Sequence, residues 1–194
     1  MIRNNFNNVI PEPGFRRLNS QVRRILKDQD YSYPSLVLII GSEQQKHITE
    51  CLAKQYVEAI SNSYRQKFII IDGSRDGKNE IINKFNQSFH VNNYHVILVE
   101  NLEAIPTNDV MIFHRFTDHE NAIYRRAIIV LTAYTPEKIV LQGNKTTEMD
   151  ELASKMFNEK WKDLVEDQRA ALLSRLTPSV ITVLYDGLNK NYCN

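Results

Sequence analysis

Ser35-Leu36-Val37-Leu38-Ile39-Ile40 is a short, nearly unbroken apolar run, β-branched in part and held between Pro34 and Gly41. A run of this length without polar alternation fits a strand covered on both faces, as in the middle of a parallel sheet. The next stretch is amphipathic at helical spacing. Ile48, Cys51, Leu52, Gln55, Tyr56 and Ala59 recur at three and four on one stripe, and Ser42 stands where a cap would sit. A strand that turns through a glycine into a helix is the corner at which many α/β domains hold a phosphate. Their loop reads G-x-x-x-x-G-K-[ST], because glycines let backbone N–H groups converge on the phosphates. Here the corner reads Gly41-Ser42-Glu43-Gln44-Gln45-Lys46-His47-Ile48. The second glycine is missing, no Ser or Thr follows Lys46, and Glu43 would repel a phosphate. The sequence predicts the scaffold without its phosphate cradle.

The remaining pattern repeats the theme. Further strands, read as buried, are expected over 67–72, 95–100, 127–133 and 180–184. Helices are expected over 19–28 and 77–89, and from Pro106 to about residue 116. From Thr147 the periodicity is cleanest, with Met149, Leu152, Ala153, Met156, Phe157, Lys160, Trp161 and Leu164 on one stripe of a long helix. A shorter helix over 168–176 ends before Pro178. Alternating strands and helices make an α/β fold with a mainly parallel central sheet flanked by helices. A chain of 194 residues suits one domain. The expected division is an N-terminal extension with a short helix over 1–34 and the main domain over 35–194.

The 42% hydrophobic and 24% charged fractions are those of an ordinary globular protein. A formal net charge of +1 supplies no overall field for nucleic acid or an anionic membrane. No apolar stretch approaches the length of a membrane span, and residues 1–15 lack the apolar centre of a signal peptide. Either the protein is cytosolic or this is a soluble piece of a longer chain whose targeting segment lies elsewhere. The two cysteines, Cys51 and Cys193, are compatible with free thiols or with a disulfide. Asn86-Gln87-Ser88 and Asn144-Lys145-Thr146 are glycosylation sequons.

Few residues suggest chemistry of their own. The third strand ends in Glu100-Asn101, where P-loop ATPases place acidic residues that hold magnesium, but the partner loop is absent and a structural Glu100 is expected. The cluster His114-Arg115-Phe116-Thr117-Asp118-His119-Glu120-Asn121 puts His114 and Asp118 at i and i+4, a metal-ligand spacing. It could equally close a helix and hydrogen-bond the loop after it. No G-x-S-x-G elbow is present, Cys51 lies on an apolar stripe, and Cys193 is next to the last residue. On the helix before the last strand, Arg175 falls at the edge of the inward arc made by Val165, Leu172, Leu173 and Leu176, and could project from the surface. Arg169 competes with it.

Several of these stretches together resemble the luminal domains of the torsin activators, the lamina-associated polypeptide 1 and luminal domain-like family. The match lies in Met111-Ile112-Phe113-His114-Arg115-Phe116-Thr117-Asp118-His119-Glu120-Asn121-Ala122 and the strand after it, with the core at 118–122 most specific. Cys51, Ile71-Asp72-Gly73, Leu173-Ser174-Arg175-Leu176 and Cys193 extend it over most of the chain after Ser35. The resemblance implies a degenerate AAA+-like domain that binds no nucleotide and needs no cofactor or metal. It implies a ring-like hetero-oligomer with the ATP-bound state of a torsin-family AAA+ ATPase, which lacks its own arginine finger and receives Arg175 in trans. It further implies a Cys51–Cys193 disulfide, residence in the endoplasmic reticulum lumen and perinuclear space, and a transmembrane segment outside this chain. Two readings compete: a stand-alone metal-dependent hydrolase built on His114, Asp118 and Glu120, and a purely structural membrane tether.

Overall fold

The computed structural model describes residues 5–143, 145–185 and 192. Five strands form one sheet: β1 (Ser35–Ser42), β2 (Phe68–Asp72), β3 (Val96–Glu100), β4 (Ile128–Thr135) and β5 (Val180–Thr182), in the order β2-β3-β4-β1-β5. Every pairing is parallel. β1 is an interior strand, in register with β4 from Ser35↔Ile128 to Ser42↔Thr135 and with β5 from Leu38↔Val180, and all eight of its residues are buried.

Because successive strand side chains point to opposite faces, β1 supplies two cores. Leu36, Leu38 and Ile40 join a cluster with Phe85, Phe113, Phe157 and Trp161. Val37 and Ile39 join the cluster on the other face, with Leu52, Tyr56 and Ile60. The helices that cover these faces are α1 (Glu12–Val22), α2 (Lys46–Ser63), α3 (Lys78–Asn86), α4 (Thr107–Val110), α5 (Phe113–Thr117), α6 (Lys145–Lys160) and α7 (Glu166–Leu176).

Several elements differ from the sequence expectation. The first helix starts earlier than residue 19, because Pro13 fits its first turn and Phe15 and Leu18 extend the inward face. A π-helical turn over Arg23–Lys27 then finishes it. Phe6, Val9, Ile10, Phe15 and Leu18 are buried in the same cluster as Val37 and Ile39. β2 is an edge strand, so Ile70 is exposed where a fully covered strand was expected. Ser42 makes no side-chain cap. A 3₁₀ turn over Glu43–Gln45 precedes α2, and the Ser42 hydroxyl bonds Gln45 instead. On α2 the buried arc is wider than one stripe: Thr49, Ala53, Val57 and Ile60 are inside, whereas Ala59 is exposed. The segment after Pro106 breaks into α4 and α5, since Val110, Ile112, Phe113 and Phe116 are all buried and span too wide an arc for one helical stripe. On α6 Lys160 is exposed, while Met149, Ala153 and Phe157, and Trp161 just after the helix, are fully buried.

Candidate functional site

α7 opens with Glu166 and Asp167, which complement the positive end of its dipole, and buries Leu172, Leu173 and Leu176. Arg175 therefore emerges beside the buried arc, and its side chain keeps 28% of its surface exposed. It does not project freely, as the sequence suggested. Its Nε donates to Asp118 Oδ2 at 3.0 Å and its Nη2 to the same oxygen at 2.7 Å, while Nη1 donates to the Ala171 carbonyl at 3.0 Å. Asp118 closes α5, and its Oδ1 accepts the backbone N–H groups of Glu120 at 2.9 Å and Asn121 at 2.7 Å. Hydrogen bonds from Arg175 first, then the Asn121 amide, hold the Asp118 carboxyl down at about 2. A guanidinium carries five N–H donors. Three are used here, and the rest stay available in a surface depression lined by Asp118, His119, Glu120, Asn121, Ser174 and Arg175.

His114 lies one turn before Asp118 and interacts electrostatically with the Gln168 backbone and with Arg175, both on α7. Burial first, and then the Arg175 charge, lowers its pKa below the ordinary histidine value. The metal reading of His114, Asp118 and Glu120 loses its geometric basis, because both oxygens of Asp118 are committed. Among the described residues no three His, Cys, Asp or Glu side chains converge. Arg169 has a different task. It donates to Asn158 Oδ1 at 3.0 Å and to the Lys162 and Leu164 carbonyls at 3.3 Å, stapling the turn between α6 and α7.

At the opposite end of the sheet, the broken phosphate corner is filled by the chain itself. A Cβ on Gly41 would lie 2.0 Å from Thr49 Oγ1, so α2 packs directly on the glycine. Gln45 is buried and donates to the Leu184 carbonyl, which ties the corner to the chain leaving β5. Lys46, which a phosphate loop would turn toward phosphates, donates to Asn101 Oδ1 at 2.8 Å. Asn101 adopts a left-handed backbone (φ 56°) and donates to Asp72 Oδ1 at 2.8 Å. Glu100 Oε1 lies 3.3 Å from Lys54 Nζ.

Cys51 is buried on α2, whereas Cys193 lies outside the described residues. Asn86 is exposed at the end of α3 and accepts a hydrogen bond from the Tyr124 hydroxyl at 2.8 Å, but Ser88 of its sequon is buried. Asn144 is outside the described residues.

A profile of the family described as "Lamina-associated polypeptide 1, AAA+ activator domain" matches residues 11–182. The chain belongs to that family. Among relatives of this activator domain, Torsin-1A-interacting protein 1 of Mus musculus is 27% identical over 140 residues, covering 69% of the chain and 22% of the relative. The Bos taurus protein of the same name is 24% identical over 182 residues, covering 85% and 30%. The activator domain thus spans less than a third of these relatives. A closed-state Hsp104 structure aligns at TM-score 0.52 and 12% identity, over 88% of this chain and 30% of that one. Cdc6p from Pyrobaculum aerophilum aligns at 0.52 and 11%, over 87% and 43%. These likenesses show the fold: one AAA+-like α/β domain.

Two features of the activator domain were not legible before its structure. Asp118 and Arg175 are 57 positions apart, and nothing in either local pattern links them. Gln45 gave no signal as a plug, because a polar side chain near a helix start reads as solvent-facing.

Proposed function

We propose that this domain is a non-catalytic activator of a torsin-type AAA+ ATPase. It joins the ATP-bound enzyme in a ring-like hetero-oligomer and supplies Arg175 in trans. The observation that carries the reading is the Asp118–Arg175 pair: the 118–122 stretch that is most specific to the torsin activators also holds the one arginine a finger requires. Hydrolysis of ATP spreads negative charge over the γ-phosphoryl oxygens, and a fixed guanidinium there gives about 10³–10⁵ in rate. An arginine already held in place loses little freedom when it meets that charge. The filled corner around Gln45 and Lys46 fits a domain that leaves nucleotide chemistry to its partner. The names of the relatives, Torsin-1A-interacting protein 1, point to the same class of partner.

The same reading places the domain in the endoplasmic reticulum lumen and perinuclear space, tethered through a transmembrane segment outside this chain. There Cys51 pairs with Cys193. Tyr192 supports this, being buried in the same apolar cluster as Cys51 and stacked on Phe6 at a centroid distance of 5.6 Å. A glycan on Asn86 would be attached before α3 folds, since Ser88 is buried afterwards.

The test is turnover of a torsin-type ATPase with and without this domain. Stimulation that saturates with added domain is expected, and unchanged turnover contradicts the proposal.

A further inference from the structure

In a parallel sheet, the residues that lead into every strand lie at one end. Here that end has an unusual composition. Tyr31 and Tyr33 precede β1, Tyr64-Arg65-Gln66-Lys67 precedes β2, Tyr94-His95 precedes β3 and Tyr124-Arg125-Arg126 precedes β4. No Asp or Glu occurs in 59–71, 81–99 or 121–136. Arg65, Lys67, Arg125 and Arg126 are exposed, and among the described residues none of them makes an ion pair. The net charge of +1 conceals this basic band.

The band is knitted together. The Arg126 guanidinium lies 5.1 Å from the Tyr31 ring centre, Tyr31 lies beside Tyr64, and Tyr64 meets His95 edge-on at 5.5 Å. Two aliphatic side chains stand out in the segments before β4 and β3, Ile123 at 47% exposure and Val91, at the end of a π-helical turn over Gln87–Val91, at 76%; Phe89 of that turn stacks on Tyr124. Asp28 and Asp30, before Tyr31, are taken up by Arg23 and Arg24 at 3.6 and 3.9 Å; the tyrosines, arginines and scattered aliphatics beyond them make up the signature of a protein-binding surface.

The band also runs into the arginine-finger surface. Tyr33 stacks edge-on against His119 at 4.6 Å, and Arg125 Nη2 donates to the Glu120 carbonyl at 2.9 Å. Both contacts fall on the loop whose Asp118 holds Arg175. We infer that this tyrosine- and arginine-rich end of the sheet docks an acidic surface of the ATPase next to its nucleotide site, so that affinity is set by the band and rate by Arg175. The inference rests on the activator reading. A bilayer laid on the same band would cover His119 and shut Arg175 away from a partner, which favours protein over lipid. Complementary charge of this kind acts through association rate and is weakened by salt.

The experiment measures binding of the whole domain to an ATP-loaded torsin-type ATPase at several salt concentrations, alongside stimulated turnover. For Arg125→Glu/Arg126→Glu, association slows by about tenfold or more at low salt and its salt dependence flattens. The concentration needed for half-maximal stimulation rises to match, and the plateau is regained when more domain is added. Lys67→Glu, at an exposed site on a different loop, shifts in the same direction by less, which separates the effect from misfolding. Arg175→Ala shows the reverse split, a lost plateau with binding kept. Binding by both band variants that equals wild type overturns the band while leaving the activator reading intact. Loss of binding to phosphatidylserine vesicles with ATPase binding unchanged reassigns the band to a lipid surface and overturns it too. A wild-type domain that fails to bind the ATP-loaded ATPase overturns the activator reading and the band together.

Discussion

Asp118 grips Arg175 through one carboxylate oxygen, Oδ2, which accepts Nε at 3.0 Å and Nη2 at 2.7 Å. Its other oxygen is anchored by the amides of Glu120 and Asn121. The carboxylate is thus fixed to one loop and the guanidinium to the carboxylate, so Asp118 aims the arginine.

Asp118→Ala is expected to lower the stimulation plateau by up to about 10²-fold through misplacement of the guanidinium, with a smaller change in affinity. Turnover measured against activator concentration separates the two quantities. A plateau equal to wild type means that Arg175 needs no guide.

The same pair gives a pH signature. The folded-state carboxyl of Asp118 is held at about 2, below its ordinary value of 3.8. A depressed acid contributes stability that is fully present above the ordinary value and is lost as pH falls through the folded one. The stability advantage of wild type over Asp118→Asn is therefore constant near neutrality and shrinks from about pH 4 to about pH 2. Denaturant titrations at pH 7, 4 and 2.5 check it; an advantage that grows on acidification has the wrong sign.

At the corner, Gly41→Ala puts a methyl 2.0 Å from Thr49 Oγ1 and 3.1 Å from Thr49 Cβ. Overpacking of this kind costs about 1–3 kcal/mol. Adding Thr49→Ala removes the nearest atom and should recover part of the loss. Urea unfolding of the single and double variants tests the coupling.

The sheet was largely legible because its strands are apolar runs that need no long-range information: β1, β3 and β4 fall where the runs fall. What escaped depends on neighbours. Ile70 reads as buried until β2 is seen at an edge. The N-terminal apolar residues Phe6, Val9 and Ile10 are too irregular in spacing to signal burial, yet they fill the core beside Val37. The site was half legible. The absent phosphate loop is a matter of residue types and could be read directly, and Arg175 stood out once the resemblance was noticed. The Asp118 clamp required a loop and the helix α7 to be folded together, and the basic end of the sheet required four segments.

If Cys51 and Cys193 are bonded, reduction opens a loop of most of the chain and should destabilise by about 5 kcal/mol or less in the chain-entropy account. Intact mass and urea midpoints with and without reductant test this. Identical masses with two alkylatable thiols in lumen-derived protein refute the pairing.

Arg175→Ala tests the central claim most directly, read as the plateau of stimulated turnover of a torsin-type ATPase. A finger acts mainly in the transition state, so the plateau should fall about 10³-fold, or roughly 4 kcal/mol, with binding largely kept. Arg175→Lys should fail as well, because a point charge cannot reproduce the planar fork. Arg169→Ala, which loosens only the turn between α6 and α7, should keep most of the stimulation. An Arg175→Ala domain that stimulates as well as wild type contradicts the account.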